Sequence, residues 1–286
     1  MTNPYVSLDT LKSSGVFNVT GTGDDTRMRL LTEAVSRACD DFMNRRMYSR
    51  IETIYFSGNG KKAMLLPDDL ISVTTLKEDE DLDGATYETT WKTTDYVLAP
   101  YDADPTLADP DRALPYWVIE VDRRTQGSQS AFGKGQRRFE LAGKWGWSES
   151  TKDSGATVND NPLAAGATTI NVGAGEGSKV EIGQTIVIES EQFYITNIVT
   201  DALTVDPGVN GTTQASHAQS TAINIVQYPS PIREAVIIET ARLWTMKSSG
   251  FASSVGNQDT GVVQVFGGEL HPRARALLNP FRRIGV

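Results

Sequence analysis

Two of the residue types that carry much of protein chemistry are scarce in this sequence. It contains one cysteine and two histidines among 286 residues. A single cysteine cannot form an intramolecular disulfide, and Cys39 lies on the apolar face of a predicted helix, which indicates a buried thiol and not a nucleophile. His217 and His271 lie far apart, and neither has a neighbouring cysteine or carboxylate at metal spacing. We therefore expect a solvated or helix-capping role for both histidines.

Long apolar runs and positive charge are lacking as well. No apolar segment is long enough to cross a bilayer, and no N-terminal hydrophobic region resembles an export signal, so we expect a protein made in the cytoplasm without membrane contact. The formal net charge of -9 argues against general affinity for nucleic acid, which needs clustered Lys and Arg. No nucleophile elbow, dinucleotide fingerprint or catalytic carboxylate pair is present. We therefore expect no enzymatic activity, no cofactor and no metal.

Two long helices are predicted near the two ends of the chain. The first runs from Asp24 to Tyr48 without Gly or Pro, and apolar residues recur in it at the three-and-four spacing of one helix face. That face contains Met28, Leu31, Val35, Ala38, Cys39 and Phe42, widened by Leu30 and Ala34. The second begins at Ser230, a capping residue before Pro231, and meets no glycine until Gly250. Because the second helix is mostly apolar, we expect it to pack on the first.

The segment between the first helix and residue 150 has the alternation of strands. A hairpin is predicted around the Gly-Asn-Gly turn at residues 58–60, preceded by a short helix within Val6 to Phe17 earlier in the chain. Further strand candidates are residues 71–76, 86–91, 95–100, 116–121 and 138–144.

A different composition begins near Gly155. From there to Val226 about six short alternating strands are separated by turn residues, and residues 158–226 contain seven acids but only one base. This pattern predicts a small all-β barrel or sandwich, residues 158–226, inserted into a domain made of residues 1–157 and 227–286. The predicted fold class is α+β, a helical bundle with a β hairpin or small sheet plus the inserted β domain.

Two charged loops are candidate surfaces. An acidic run consists of Glu78, Asp79, Glu80, Asp81 and Asp83; a solvated loop, or an acidic surface lining a channel, is preferred over a metal site because no ligand geometry is implied. A long segment from Asp122 to Arg138 carries the basic residues Arg123, Arg124, Lys134, Arg137 and Arg138. Its Gly133-Lys134 pair lacks the spacing and the following helix of a phosphate loop. A mobile loop that contacts a partner or transiently faces DNA is the preferred interpretation.

The C-terminal segment from Gly267 is basic and partly apolar. Its candidate docking residues are Arg273, Arg275, Leu277, Leu278, Phe281, Arg282 and Arg283. Exposed apolar residues of this kind suggest that a partner covers them, while a disordered or self-packed terminus remains the alternative.

The order of these pieces resembles the head-to-tail connector, or adaptor, proteins of tailed bacteriophages. The similar pieces are SLDTLKSSGVF, the helix DDTRMRLLTEAVSRACDDFMNRRMY, the strands around LLPDDLISVTTL, the GKWGW strand end, the helix SPIREAVIIETARLW and the terminal LNPFRR. They cover roughly residues 5 to 150 and 229 to 286. The segment between them resembles a small β module of several phage structural proteins.

This resemblance implies a virion protein of the neck. It implies a ring, usually of twelve copies, between the portal protein and a tail or stopper protein, with DNA passing through its channel without specific binding during packaging and ejection. The C-terminal residues would then dock on the portal or on a neighbouring subunit. Two alternatives stay open: a surface- or carbohydrate-binding protein that acts through the β insertion, and an unrecognised hydrolase.

Overall fold

The computed structural model describes residues 3–17, 19, 21–124, 129–247, 254–257, 262–265 and 270–283; for 254–257 and 262–265 it describes the backbone. The chain forms two compact units. The first comprises Met1–Asn44, Lys152–Val209 and Gln214–Val286, and the second comprises Arg45–Thr151 and Asn210–Thr213.

The second unit is built on a six-stranded antiparallel sheet. Its strands are β1 (Arg50–Asn59), β2 (Ala63–Glu78), β3 (Thr89–Trp91), β4 (Tyr96–Ala99), β5 (Tyr116–Val121) and β6 (Lys134–Trp145). The strand order is β1-β6-β2-β5-β4, and β3 pairs with β2. At 16 residues β2 is long enough to pair with β5 along its first part and with β6 along its second. The strand candidates of this region are therefore confirmed as parts of one sheet. The predicted hairpin is wrong, because β1 and β2 follow each other across the Gly-Asn-Gly turn but both pair with β6, which lies between them.

Aromatic side chains fill the core of this sheet. Trp91 stacks on Phe132 with ring centroids 4.6 Å apart, and Phe139 meets both rings edge to face. Trp145 is also fully buried, and its indole nitrogen donates to the carbonyl of Glu52 at 3.0 Å. Alternating residues of neighbouring strands thus supply the apolar contacts themselves, and the sheet needs no helix in order to bury its strands.

The predicted fold class is wrong. The protein is mostly β, with two antiparallel sheets of six strands each and few helices, whereas a helical bundle with an accessory hairpin had been expected. The physical reason is that β2 and β6 are long and bury a separate aromatic core. The strands of residues 50–145 are the framework of their unit and not an appendage of a bundle.

A second six-stranded sheet follows in the chain. Its strands are β7 (Thr151–Thr157), β8 (Thr169–Asn171), β9 (Thr185–Ile188), β10 (Glu191–Val199), β11 (Ala202–Pro207) and β12 (Ala222–Val226), in the order β7-β12-β9-β10-β11-β8. A bridge between Val158 and Val172 joins the residues that follow the two edge strands. Ile170, Ile186 and Phe193 are among the fully buried residues of its apolar core.

The remaining elements of the first unit are helical, apart from a hairpin. They are α1 (Leu8–Ser13), α2 (Asp25–Met43), α3 (Ser230–Met246) and α4 (Pro272–Leu278), with the hairpin strands β13 (Ser254–Asn257) and β14 (Val262–Val265). Helix α2 packs on α3 as predicted, and α4 packs on both. None of the helices in the described ranges combines the length and the apolar character that a membrane span requires.

Helix α2 is shorter and more exposed than predicted. It ends at Asn44, which adopts the left-handed conformation with φ 53°, and not at Tyr48. Met28, Val35 and Cys39 are buried as expected, but Leu30 is 63% exposed. Ala34 and Ala38 are exposed on the same side. Only part of the predicted apolar face is therefore buried in the core, and its other part is exposed to solvent.

The division into residues 1–157 with 227–286 and an insertion of residues 158–226 stays a prediction. Within the first unit, hydrogen bonds tie the N-terminal helices to the segment that contains the second sheet. The amide of Leu8 donates to the carbonyl of Ile182 at 3.1 Å, and the hydroxyl of Thr10 donates to Glu181 at 2.9 Å. A guanidinium nitrogen of Arg29 donates to the carbonyl of Thr196 at 2.6 Å.

Candidate functional site

The predicted acidic run and the start of the basic strand β6 lie side by side at one end of the first sheet. Glu78, the last residue of β2, is paired with Phe139 of β6. The amide of the next residue, Asp79, donates to the carbonyl of Arg138 at 2.9 Å. Two segments that the sequence suggested as separate surfaces therefore form one cluster, which we call the loop cluster: residues 78–88 with residues 134–138.

A largely buried ion pair joins the two segments of the loop cluster. The Nε of Arg138 donates to Glu78 at 2.7 Å, and the indole nitrogen of Trp91 donates to the other oxygen of Glu78 at 2.9 Å. The side chains are only 16% and 6% exposed. Because both ionic groups are largely withdrawn from water, their role is to hold the end of the sheet together, and neither forms part of an accessible charged surface.

The rest of the acidic run is folded into a turn. Asp79 is buried, and its carboxylate accepts from the amides of Leu82 and Gly84 at 2.6 and 2.9 Å. Asp83 accepts from the amide of Ala85 at 2.7 Å. The side chains of Glu80, Asp81 and Asp83 are exposed. Asp79 thus organises the loop that presents the other three acids to solvent.

Four carboxylates of this turn are close enough together to hold a cation. Asp79, Asp81, Asp83 and Glu88 each offer an oxygen within 4.8 Å of the others. However, Asp79 and Asp83 already accept backbone amides, and Glu88 accepts from the Glu80 amide at 3.0 Å. Hydrogen bonding, first from the Thr86 hydroxyl, lowers the pKa of Glu88. These hydrogen bonds account for the carboxylates without a metal, and we propose no metal site here.

The predicted basic residues have different surroundings. The guanidinium of Arg137 lies over the ring of Tyr55 at 4.3 Å, and the Tyr87 hydroxyl donates to the Arg137 carbonyl at 3.0 Å. Arg124 donates two hydrogen bonds of 3.1 Å to the carboxylate of Asp122, which raise its pKa. Arg123 and Lys134 are exposed. Residues 125–128, within the predicted loop, lie outside the described residues.

A cavity of about 490 Å³ opens at the end of β5. Three cations line it, Lys62, Arg123 and Arg124, together with Tyr101, Glu120 and Asp122. The Tyr101 side chain is 74% exposed, and its hydroxyl donates to Glu120 at 2.7 Å, which raises the pKa of the phenol.

Sequence reasoning missed the contribution of the β1–β2 turn to this cavity. The carbonyl of Lys62 accepts from the amide of Val121 at 2.9 Å, and that of Lys61 accepts from the amide of Phe132 at 2.9 Å. These bonds place the two lysines between Val121, which precedes the basic segment, and Phe132 within it. The signal in the sequence is the Lys61-Lys62 pair that directly follows the Gly-Asn-Gly turn.

The predicted C-terminal docking residues divide into buried and exposed groups. Leu278 is fully buried, and the neighbouring Ala274 is as well. Leu277, Phe281 and Arg283 are half-buried, and the amide of Arg283 donates to the carbonyl of Met43 at 2.8 Å. The exposed members are Arg273, Arg275 and Arg282. Residues 266–269, where this segment was predicted to begin, lie outside the described part of the chain.

Further contacts hold α4 to the long helices. Glu239 of α3 is buried, pairs with Arg242, and accepts from the amide of His271 at 2.9 Å. The guanidinium groups of Arg275 and Arg282 both lie 5.6 Å from the ring centre of Phe42. The C-terminal segment is therefore packed on its own chain, and its arginines form the surface that remains accessible there.

His217 lies in a buried cluster that the sequence did not reveal. Its Nδ1 is 2.8 Å from a Glu189 oxygen and its Nε2 is 2.9 Å from a Glu191 oxygen. The side chains of His217 and Glu191 are each 1% exposed, and Glu191 also accepts from the amides of Gly208 and Ala215. A carboxylate oxygen therefore lies within hydrogen-bond distance of each ring nitrogen of His217.

Comparison with known proteins does not identify a family for this chain. No protein-family model matches the chain, and no curated protein matches it. Among solved structures, one chain from the neck of an empty GTA particle, computed with C6 symmetry, is similar to it. The match covers 100% of this chain and 94% of that chain, with 10% sequence identity and a TM-score of 0.34. A TM-score this low supports no conclusion about fold or function.

The candidate functional surfaces are thus three. They are the exposed acids of the loop cluster, the cationic cavity at the end of β5, and the arginines of α4. Glu78, Arg138 and Leu278 serve the fold instead, because each is withdrawn from solvent.

Proposed function

We propose that the chain is a virion structural protein, a ring-forming adaptor in the neck of a tailed phage or phage-like particle. In this role it sits between the portal protein and a tail or stopper protein, and DNA passes through the ring. The observation that carries the proposal is the order of the elements: a short helix, a long helix, a set of strands, a second long helix and a basic C-terminal helix. That order follows the connector resemblance of the sequence, with the second sheet as an additional part.

The surface of α2 supports assembly. One side of the helix packs on α3, while Leu30, Ala34 and Ala38, one turn apart, are exposed on the other. Leu30 is 63% exposed. An apolar stripe on a helix that is already anchored to its own core is suited to the neighbouring subunit of a ring. Twelve copies are proposed by analogy with the connectors that the sequence resembles.

The charged surfaces have matching roles in this proposal. Arg273, Arg275 and Arg282 of the C-terminal segment dock on the portal, since arginine is favoured at protein interfaces. The exposed acids Glu80, Asp81 and Asp83 face the channel, where like charge keeps passing DNA from adhering. We propose a binding and assembly role and no catalysis.

Electron microscopy of the purified full-length protein tests the proposal. We expect closed rings with an axial hole, alone or on addition of portal rings, and mass photometry should give a single dominant stoichiometry. A protein that remains monomeric at micromolar concentration, both alone and with portal rings, would contradict the adaptor role. Rings in which residues 78–83 lie on the outer rim would contradict only the channel assignment.

A further inference from the structure

Four basic residues surround the end of β5, on a protein whose net charge is negative. Lys61 and Lys62 come from the β1–β2 turn, Arg123 follows β5, and Lys134 begins β6. Backbone hydrogen bonds from Val121 and Phe132 hold the lysine turn between the other two segments. A Cβ at Gly60, in the same turn, would lie 3.4 Å from the Cβ of Lys134. We call these four residues the basic turn cluster.

The acids around the cavity do not neutralise this cluster. Asp122 accepts from Nε and Nη2 of the Arg124 guanidinium, and Glu120 accepts from the Tyr101 hydroxyl. Within the described ranges, neither the Lys62 ammonium nor the Arg123 guanidinium has a hydrogen-bond or ion-pair partner, although both residues line the cavity of about 490 Å³. Two cations therefore face the same cavity without an ion-pair partner, and the cationic side chains that line it outnumber the carboxylates by three to two.

We infer that this cavity, with the basic turn cluster around it, binds the phosphate groups of a nucleic-acid backbone. Lys62 and Arg123 would contact one phosphate in the cavity, and Lys61 and Lys134 would contact its neighbours along the strand. A linear polyanion meets all four cations, whereas a small single anion in the cavity meets only Lys62 and Arg123. The inference goes beyond the adaptor role, because the proposed binding site lies within a single chain and does not depend on ring assembly.

Binding of this kind is weak and independent of sequence. Contacts to phosphates carry no base information, and the non-specific dissociation constants of such sites are about 10⁻⁴ to 10⁻⁶ M at physiological salt. The net charge of -9 concerns the whole chain, whereas beyond a Debye length of about 8 Å the other charges are largely screened. A local site is therefore compatible with an acidic protein and with DNA that moves past it.

The test is fluorescence anisotropy of a labelled DNA duplex titrated with the full-length protein at several salt concentrations. The variant Lys62→Ala/Arg123→Ala removes the two cations of the cavity. We expect it to bind roughly tenfold more weakly at about 50 mM salt and to lower the slope of log K against log salt by about 0.9, the value for the one phosphate that these two cations would contact. Unchanged thermal unfolding would show that the variant is folded.

The matched control is Lys92→Ala/Arg112→Ala. It removes the same charge from exposed positions of the same unit that do not line the cavity. We expect its affinity and salt slope to stay close to those of the unmodified protein. An equal loss in both double variants would reduce the effect to overall charge and overturn the site, as would a Lys62→Ala/Arg123→Ala variant that binds unchanged.

A second arm separates the two sources of phosphate. Isothermal titration with inorganic phosphate, against chloride at equal ionic strength, reports whether a single free anion occupies the cavity. Binding of the duplex without binding of phosphate supports the nucleic-acid backbone as the ligand, and binding of phosphate alone supports the cavity but overturns that assignment. If neither binds at low salt, the whole inference is wrong, while ring assembly remains untouched.

Discussion

At the scale of single residues, His217 is the side chain on which the second sheet depends most clearly. It is buried between Glu189 and Glu191, and the side chain of Glu191 is itself buried, so that water does not hydrate its carboxylate. The sequence could not show this, because His217 and Glu191 are 26 residues apart and meet only when the loop before β12 pairs with Leu163. A solvated or capping histidine had been expected, and for His217 that expectation is wrong.

We predict that His217→Phe destabilises the protein by about 3 kcal/mol, because it leaves the Glu191 carboxylate buried with only two backbone donors. Urea unfolding monitored by circular dichroism would measure the change. His271 provides the control, since it caps α4 at a half-buried position by accepting from the Arg273 amide at 3.2 Å. His271→Ala should cost about 1 kcal/mol or less. Equal effects at the two histidines would contradict the buried cluster.

The neighbours Arg137 and Arg138 allow a second test at this scale. Arg138→Met removes the partner of a buried carboxylate, so we expect a loss of about 3 kcal/mol in the free energy of unfolding. Arg137→Met removes an exposed guanidinium that lies over Tyr55, and we expect a loss of about 1 kcal/mol or less. Chemical denaturation of the two variants decides the matter. If Arg138→Met were as stable as Arg137→Met, Arg138 would belong to the accessible basic surface after all.

At the scale of elements, the local sequence pattern correctly indicates which strands and helices form, but it does not show what each of them packs against. The alternation in residues 51–66 and 116–121 correctly indicated β1, β2 and β5, because that alternation reflects burial on one face of a sheet. The helix from Asp24 was also confirmed. Its exposed stripe was not foreseen, since Leu30 has the spacing of a buried residue and only the position of α3 shows that it is left outside.

We predict that Leu30→Lys prevents ring assembly without affecting the fold of the subunit. The side chain is 63% exposed, so the subunit tolerates the charge, but a neighbouring subunit packed on the stripe would have to bury it. Val199→Lys is the matched control, because Val199 is an equally exposed apolar residue, at 62%, on the second sheet. Mass photometry would report assembly. Rings formed by Leu30→Lys but not by Val199→Lys would move the interface from α2 to the second sheet.

At the scale of the whole molecule, the predicted fold class is wrong because the helices, and not the strands, were expected to form the framework of the fold. The sequence contained the signals of both sheets, but the resemblance to connector proteins made the helices the expected framework. No local pattern shows which strands join into one sheet. Strand β6 lies between β1 and β2, although 55 residues of chain separate it from β2. The net charge likewise does not show where individual charges lie, and a negative total gives no sign of the cations at the end of β5.

The last prediction concerns how the C-terminal segment contributes to assembly. Removal of residues 270–286 should destabilise the first unit, because Ala274 and Leu278 are fully buried against the other helices. Leu278→Ala alone should cost about 3 kcal/mol in thermal or chemical unfolding. Truncation therefore cannot separate folding from docking, and loss of portal binding in a truncated chain would have two explanations.

Substitution of exposed arginines separates the two effects. Arg273→Ala/Arg282→Ala changes side chains that stand in solvent, so we expect unchanged unfolding and clearly weakened binding to portal rings. Arg112→Ala, on an exposed loop of the second unit, controls for the loss of positive charge. Both variants would be mixed with purified portal rings and followed by mass photometry. Portal binding that survives in Arg273→Ala/Arg282→Ala, but fails in folded Arg112→Ala, would transfer the docking surface from the C-terminal helix to the second unit.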